Sequence, residues 1–209
     1  MPVTRARRWL LSVQGSNTNL LFHWRILILS GVCSVLFLTQ PTLSLREAKV
    51  QALNDRYSML LILACSLGCQ ILAITEWAYV NPAPALVGNP VALTSGLVLM
   101  LGGLTLRLWA IRTLGHFFTA TVRVQEGQRI VTSGPFSIVR HPSYLGSYLT
   151  IAGSTLFLES YVSLLVTAVA VLAAYAVRIH AEERTMTTSF GEVYVRYSQT
   201  SFKMIPGIW

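Results

Sequence analysis

The chain has 209 residues, 53% of them hydrophobic and only 11% charged, with a net charge of +8. Soluble domains carry about 25% charged residues, so this composition excludes an ordinary soluble domain and describes an integral membrane protein, one compact bundle in size. The positive charge fits Lys and Arg gathered on cytoplasmic loops and near anionic lipid headgroups, and no basic-aromatic platform for nucleic acid is visible.

Residues 1–19 place Arg5, Arg7 and Arg8 ahead of Trp9-Leu10-Leu11, and Gln14-Gly15-Ser16-Asn17 cuts the apolar stretch short. This reads as a basic interfacial segment rather than a signal peptide. Residues 20–113 hold three expected membrane helices. The first lies near 20–39, where Pro41 ends it, and the second fills the uncharged run 57–75. About 20 apolar residues cross a bilayer core. Residues 81–90 contain Pro82, Pro84 and Pro90 and form an uncharged turn. A third helix follows at about 91–111, with Arg107 and Arg112 expected to snorkel to the interface. Cys33, Cys65 and Cys69 all lie in apolar runs and read as small buried hydrophobes.

The remainder, 114–209, carries the chemistry. Residues 122–131 alternate enough for an extended segment with a turn at Glu126-Gly127. Two apolar runs, 142–158 and 160–177, are split only by Glu159. So short a break makes them an antiparallel helical hairpin, whose open ends return to one side. This brings Arg140-His141 beside Arg178, His180, Glu182, Glu183 and Arg184. Beyond Glu183, Met186, Phe190, Val193, Tyr194 and Tyr197 recur at helical spacing, as in a C-terminal amphipathic helix. The Arg-rich side is cytoplasmic by charge asymmetry. Five spans would then leave Arg5, Arg7 and Arg8 on the opposite side, which the charge rule does not favour.

Within this frame, Pro142 opens a helix and places Arg140 and His141 at its mouth, where the positive dipole end favours an anion. Tyr144 shares the His141 face. Glu182 lies four residues after Arg178, so the two can pair on one helix face. Glu183, its neighbour, is expected to face solvent. His116 and His180 lack clustered partners, so no metal site is expected. No G-x-G-x-x-G follows a strand and there is no P-loop. Any nucleotide-like cofactor would be held by the bundle and its loops.

The ordered string Arg140-His141-Pro142-Ser143-Tyr144-Leu145-Gly146, then Glu182-Glu183, resembles the RHPxYxG…EE pattern of isoprenylcysteine carboxyl methyltransferases. Phe190-Gly191, Tyr194, Tyr197 and Ile205-Pro206 are similar to that family's FGxxYxxY…IP ending, and Val131-Thr132-Ser133-Gly134-Pro135-Phe136 resembles its LVTSGxY stretch. Phospholipid methyltransferases share a looser version. The resemblance implies S-adenosylmethionine (SAM) as methyl donor, bound without a Rossmann domain, and a lipophilic or prenylated acceptor entering from the bilayer. It implies SAM contacts at Gln128, Arg129, Ile130, Val131, Phe136, His141, Pro142, Ser143, Tyr144 and Glu182. It also implies substrate contact at Arg178, with Arg178 and Glu182 as the catalytic pair. Gln128 stands where the family has His, and Phe136 where it usually has Tyr. The resemblance further implies a membrane location, in the endoplasmic reticulum of a eukaryote or the inner membrane of a prokaryote, with the site facing the cytosol. An amine or thiol methyl acceptor, or a scaffold retaining the fold, remain alternatives.

Overall fold

The computed structural model describes residues 24–40, 53–80, 88–119 and 127–209. The expected interfacial segment 1–19, most of the 41–56 loop, residues 81–87 and Glu126 of the expected turn lie outside the described residues. The described chain is helical: α1 (Trp24–Leu38), α2 (Leu53–Thr75), α3 (Pro90–Leu114), α4 (Pro142–Phe157), α5 (Tyr161–Phe190) and α6 (Glu192–Thr200). A π turn, Glu76–Val80, extends α2, and a 3₁₀ turn, Gly115–Phe117, extends α3. The stretches Tyr57–Tyr79, Pro90–Phe117 and Tyr161–Phe190 are long and apolar enough to cross a membrane.

The helix ends follow local rules. Pro90 opens α3 at a position whose N–H would be unpaired anyway. The Asn89 side chain caps it, accepting from Val91 N at 3.0 Å and Ala92 N at 3.4 Å. Glu76 caps α5 from another helix, accepting from Val162 N at 3.0 Å and Ser163 N at 2.8 Å. Leu158-Glu159-Ser160 makes the sharp α4–α5 turn, with Glu159 at φ 57. A non-glycine residue there is strained. Its carboxylate is held by Arg25 at 3.3 Å and by Asn89 N at 3.2 Å.

These contacts fix the run of each helix. Arg25 of α1, Asn89 before α3 and the end of α2 all lie at the Glu159 turn. Thr39 after α1, Ser58 of α2, Arg107 of α3 and His141 before α4 lie at the other end, beside Arg178. Helices α1 to α5 therefore alternate in direction, and the Glu159 hairpin returns as expected. The last apolar run does not stop at Val177, however. α5 continues unbroken to Phe190, and Gly191, at φ 53, separates it from α6. The expected C-terminal amphipathic helix is thus the overhang of α5 plus a short α6.

The closest contact in the bundle joins α3 to α4. Gly96 and Gly103 on α3 face Gly153 and Gly146 on α4. A Cβ on Gly146 would stand 2.6 Å from both Arg107 N and Gly103 O, and one on Gly153 would stand 2.5 Å from Met100 N. Small residues let membrane helices meet backbone to backbone, where apolar side chains gain little by leaving lipid. Two apolar clusters flank this seam. Leu29, Val32, Ala73, Trp77, Met100, Phe157 and Leu158 fill the turn end. Cys69, Ile151, Val171, Tyr175, Ile179 and Met204 fill the other.

Gly146→Val should lower stability by roughly 1–3 kcal/mol or more, because the added atoms meet backbone that cannot step aside. Gly102→Ala, where nothing lies within 4 Å, should leave the thermal midpoint in detergent unchanged. Equal midpoints for the two variants would contradict the seam.

Candidate functional site

The site is assembled where the mouth of α4 meets the overhang of α5. Residues 128–133 approach as irregular backbone, and a 3₁₀ turn, Gly134–Ser137, redirects the chain. The C-terminal tail then pins it. Val139 and Phe202 form an isolated parallel bridge, with Phe202 N donating to Ile138 O at 2.9 Å and Arg140 N to Phe202 O at 2.8 Å. His141 N donates to Lys203 O at 3.1 Å. His141 occupies the cap position of α4, and Pro142 begins the helix.

His141 lies between the two carboxylates of α5. Its Nδ1 is 3.5 Å from Glu182 Oε2 and its Nε2 is 3.3 Å from Glu183 Oε1. Carboxylates accept, so both ring nitrogens are best used as donors, which is the imidazolium form. Burial opposes that charge, but the hydrogen bonds and charges of Glu182 and Glu183 outweigh it and raise the His141 pKa.

Glu182 also accepts from Arg178 Nε at 3.1 Å and from the Tyr144 hydroxyl. Arg178 donates to Ser58 Oγ at 3.1 Å and to the Tyr144 oxygen at 3.4 Å. The expected i, i+4 pair is therefore formed. Tyr144 stacks between His141 and Tyr175, with centroids at 5.8 and 5.0 Å.

Glu183 does not face solvent as expected. It accepts from Arg140 Nε at 2.8 Å and pairs with Lys203 Nζ at 3.4 Å, besides His141. The reason is the tail, which folds back over the α5 overhang and closes its outer side. Arg140 also donates to Ser198 O at 2.9 Å and to Ser201 O, capping the end of α6. These bonds account for its guanidinium within the protein.

Arg107 does not snorkel either. It is 3% exposed and donates to Ser147 Oγ at 2.7 Å, Ser143 Oγ at 3.0 Å and, through Nη2, to Thr39 O at 3.1 Å. The glycine seam draws α3 so near α4 that Arg107 reaches these hydroxyls sideways. Among the described residues its hydrogen bonds go to neutral oxygens. The legible signal was the Ser143/Ser147 pair at i, i+4, opposite an arginine within an apolar helix, a position that marks function by default in membranes.

Gln128, Arg129, Ile130, Val131, Phe136, His141, Pro142, Ser143, Tyr144 and Glu182 all line one cavity of about 150 Å³. Leu114, Phe117 and Phe118 from the end of α3, and Met186, Phe190 and Tyr194 from the C-terminal helices, add an apolar wing. Arg178 lies behind Glu182 rather than among the lining residues. Along the cavity wall, Arg129, Ile130 and Val131 make no backbone–backbone hydrogen bond among the described residues. Among the described residues no three His, Cys, Asp or Glu side chains cluster to hold a metal. His180 is exposed on α5.

The sign of the pH effect follows from His141. A raised native pKa contributes stability that is full below the unfolded value of about 6.5 and is lost as pH rises through the native value. Thermal melts in detergent should fall across that alkaline window, and His141→Asn should flatten the decline. A wild-type midpoint rising from pH 6.5 to 9 would contradict the bracket.

Residues 96–188, from α3 into the overhang of α5, match the Isoprenylcysteine carboxyl methyltransferase (ICMT) family. Protein-S-isoprenylcysteine O-methyltransferase B of Arabidopsis thaliana is 37% identical over 106 residues, or 50% of this chain and 54% of its own length. The Xenopus laevis protein-S-isoprenylcysteine O-methyltransferase is 28% identical over 189 residues, or 85% of this chain and 64% of its own. The Saccharomyces cerevisiae protein of that name is 30% identical over 115 residues, or 54% of this chain and 48% of its own. The chain thus spans about half to two thirds of these relatives. The matched segment carries the glycine seam, the hairpin, the paired carboxylates and most of the cavity wall, and over that segment the chain is similar to the isoprenylcysteine carboxyl methyltransferase family.

Proposed function

We propose that this chain is a SAM-dependent membrane methyltransferase that esterifies the carboxylate of a lipophilic, isoprenylcysteine-like acceptor. The observation that carries the reading is the convergence of three distant segments, 128–136, 141–144 and Glu182, on one cavity. All five helices α1 to α5 cross the bilayer in this reading, with the cavity on the cytosolic side and 114–209 as the catalytic region.

The residues present fit SAM. The cavity-lining segment 129–131 can offer peptide groups to a flat heterocycle, and the apolar wing of Phe117, Phe118 and Phe190 suits its faces. Glu182 supplies an anion for a cationic group, and the mouth of α4 at Pro142-Ser143 favours an anionic one. The enclosed volume is below the range of about 300–1,000 Å³ for small-molecule pockets, so such a ligand would fill it and extend beyond. When bound, SAM supplies a methyl group already activated on a sulfonium. The protein's work is then alignment and exclusion of water.

A carboxylate acceptor is ionised at neutral pH and requires no general base. It requires a cation, and an arginine fork matches its geometry. Arg178, held by Glu182 and Ser58 just behind the cavity lining, is the cation this reading assigns to that role. Arg107 adds a second buried guanidinium whose hydrogen-bond partners among the described residues are neutral. The greasy part of the acceptor would enter between helices from the lipid. An amine acceptor would instead need a base to take its proton. His141, bracketed as an imidazolium, has no free lone pair for that task, which favours the carboxylate.

Arg178→Ala should lower turnover at least a hundredfold while SAM affinity changes less than tenfold, since Glu182 keeps Tyr144 and His141. Glu182→Gln should show the opposite pattern, with SAM affinity falling most. The check is a radiolabelled methyl-transfer assay with a farnesylcysteine analogue, set against phospholipids and small thiols, alongside SAM titration. Unchanged turnover in Arg178→Ala would reject that role, and absence of SAM binding by the native chain would reject the enzyme.

A further inference from the structure

The lipid-facing stripe of α5 runs Val162, Leu165, Val169, Ala173 and Val177, all exposed. The same stripe continues as His180 and then Arg184, also exposed. The apolar surface therefore gives way to polar groups within one turn after Val177, as it does where acyl chains meet headgroups. At that level a groove opens, lined by Ala176, Val177, His180, Lys203 and Trp209. Trp209 is held in place because its main-chain oxygen accepts from Met204 N and Ile205 N, both at 2.9 Å.

The charge of the neighbouring cluster decides what the groove attracts. Glu182 and Glu183 face Arg178, His141, Arg140 and Lys203. With His141 as the imidazolium, cations exceed anions by two in this group. The side chains of Arg178, Arg140 and His141 are 5%, 8% and 9% exposed, whereas Lys203 is 29% exposed. Lys203, which also pairs with Glu183 at 3.4 Å, is thus the most exposed cation of the cluster, and its ammonium lies 5.5 Å from the centre of the Trp209 ring. Cationic and tryptophan side chains at this depth are the groups that meet lipid headgroups.

We propose that this groove seats the headgroup phosphate of an anionic phospholipid, with Lys203 and His180 donating to the phosphate and Ala176 and Val177 bearing the first acyl carbons. The apolar floor, continuous with the lipid-facing stripe, makes a lipid rather than free phosphate the occupant. This site lies on the outer face of α5, away from the cavity, and does not depend on the methyltransferase reading.

The test uses the whole chain in nanodiscs of equal phosphatidylglycerol and phosphatidylcholine, with native mass spectrometry of the lipid that stays bound on release. Phosphatidylglycerol should be retained about tenfold over phosphatidylcholine, a difference of about 1.4 kcal/mol. His180→Glu combined with Arg184→Glu should abolish that preference. Arg112→Glu, at an exposed arginine on α3, should keep it. His180→Gln, a milder change at an exposed position, should lower retention about threefold without altering the thermal midpoint. Equal retention of the two lipids, the same loss in Arg112→Glu, or displacement of the lipid by excess inorganic phosphate would each overturn the proposal.

Discussion

One imidazolium between two consecutive carboxylates couples the parts of this molecule that are far apart in sequence. Adjacent residues on a helix point about 100° apart, so Glu182 and Glu183 leave a wedge between them. His141 fills that wedge and contacts both. It can do so only if the mouth of α4 rests against α5 at that height. The hairpin turn at Glu159 and the tail bridge at Val139 and Phe202 set that height from opposite ends. Buried charges are costly unless paired and hydrogen-bonded, and here each carboxylate has at least three partners. The bracket also divides labour: Glu182 and Tyr144 line the cavity, with Arg178 held behind Glu182, while Glu183 binds the tail through Arg140 and Lys203.

A second constraint acts at right angles to the first. The glycine seam brings α3 within backbone contact of α4, and this proximity turns Arg107 inward. With a larger residue at Gly103 or Gly146 the helices would separate, and a guanidinium at Arg107 could no longer reach Ser143 and Ser147 together. The seam therefore controls the polar floor behind Ser143, on the cavity-lining turn of α4. Packing and electrostatics meet in the same two helical turns.

Much of this was legible in the sequence. Two apolar runs with a short break must double back, so the meeting of Arg140-His141 with Glu182-Glu183 followed from topology. Pro142 announced a helix start for reasons of backbone geometry, whereas Asn89-Pro90, read as the end of a turn, is the cap and first residue of α3. The unread features share a cause: each depends on a nonlocal contact. Arg107 near a helix end looks like an interfacial arginine until the spacing Gly96/Gly103 is set against Gly146/Gly153. Glu183 looks solvent-facing until the tail is known to return as a bridge. The break at Gly191 was present as a glycine in an amphipathic pattern, and only the direction of the tail shows that α5 ends there.

The departure from the family pattern at Phe136 becomes intelligible at the level of the backbone. Phe136 is buried in a 3₁₀ turn, and what fixes the turn is its carbonyl, which accepts from the Tyr197 hydroxyl at 2.6 Å. Burial pushes the Tyr197 pKa up to about 12, so the hydroxyl stays a donor throughout the physiological range. A hydroxyl on residue 136 itself is therefore not required to hold this wall. Gln128 lines the same cavity in a stretch of irregular backbone, beside Arg129, Ile130 and Val131. A contact made by main chain, as at the Phe136 carbonyl, tolerates a change of side chain, whereas the bracketed His141 and its two carboxylates have no backbone substitute.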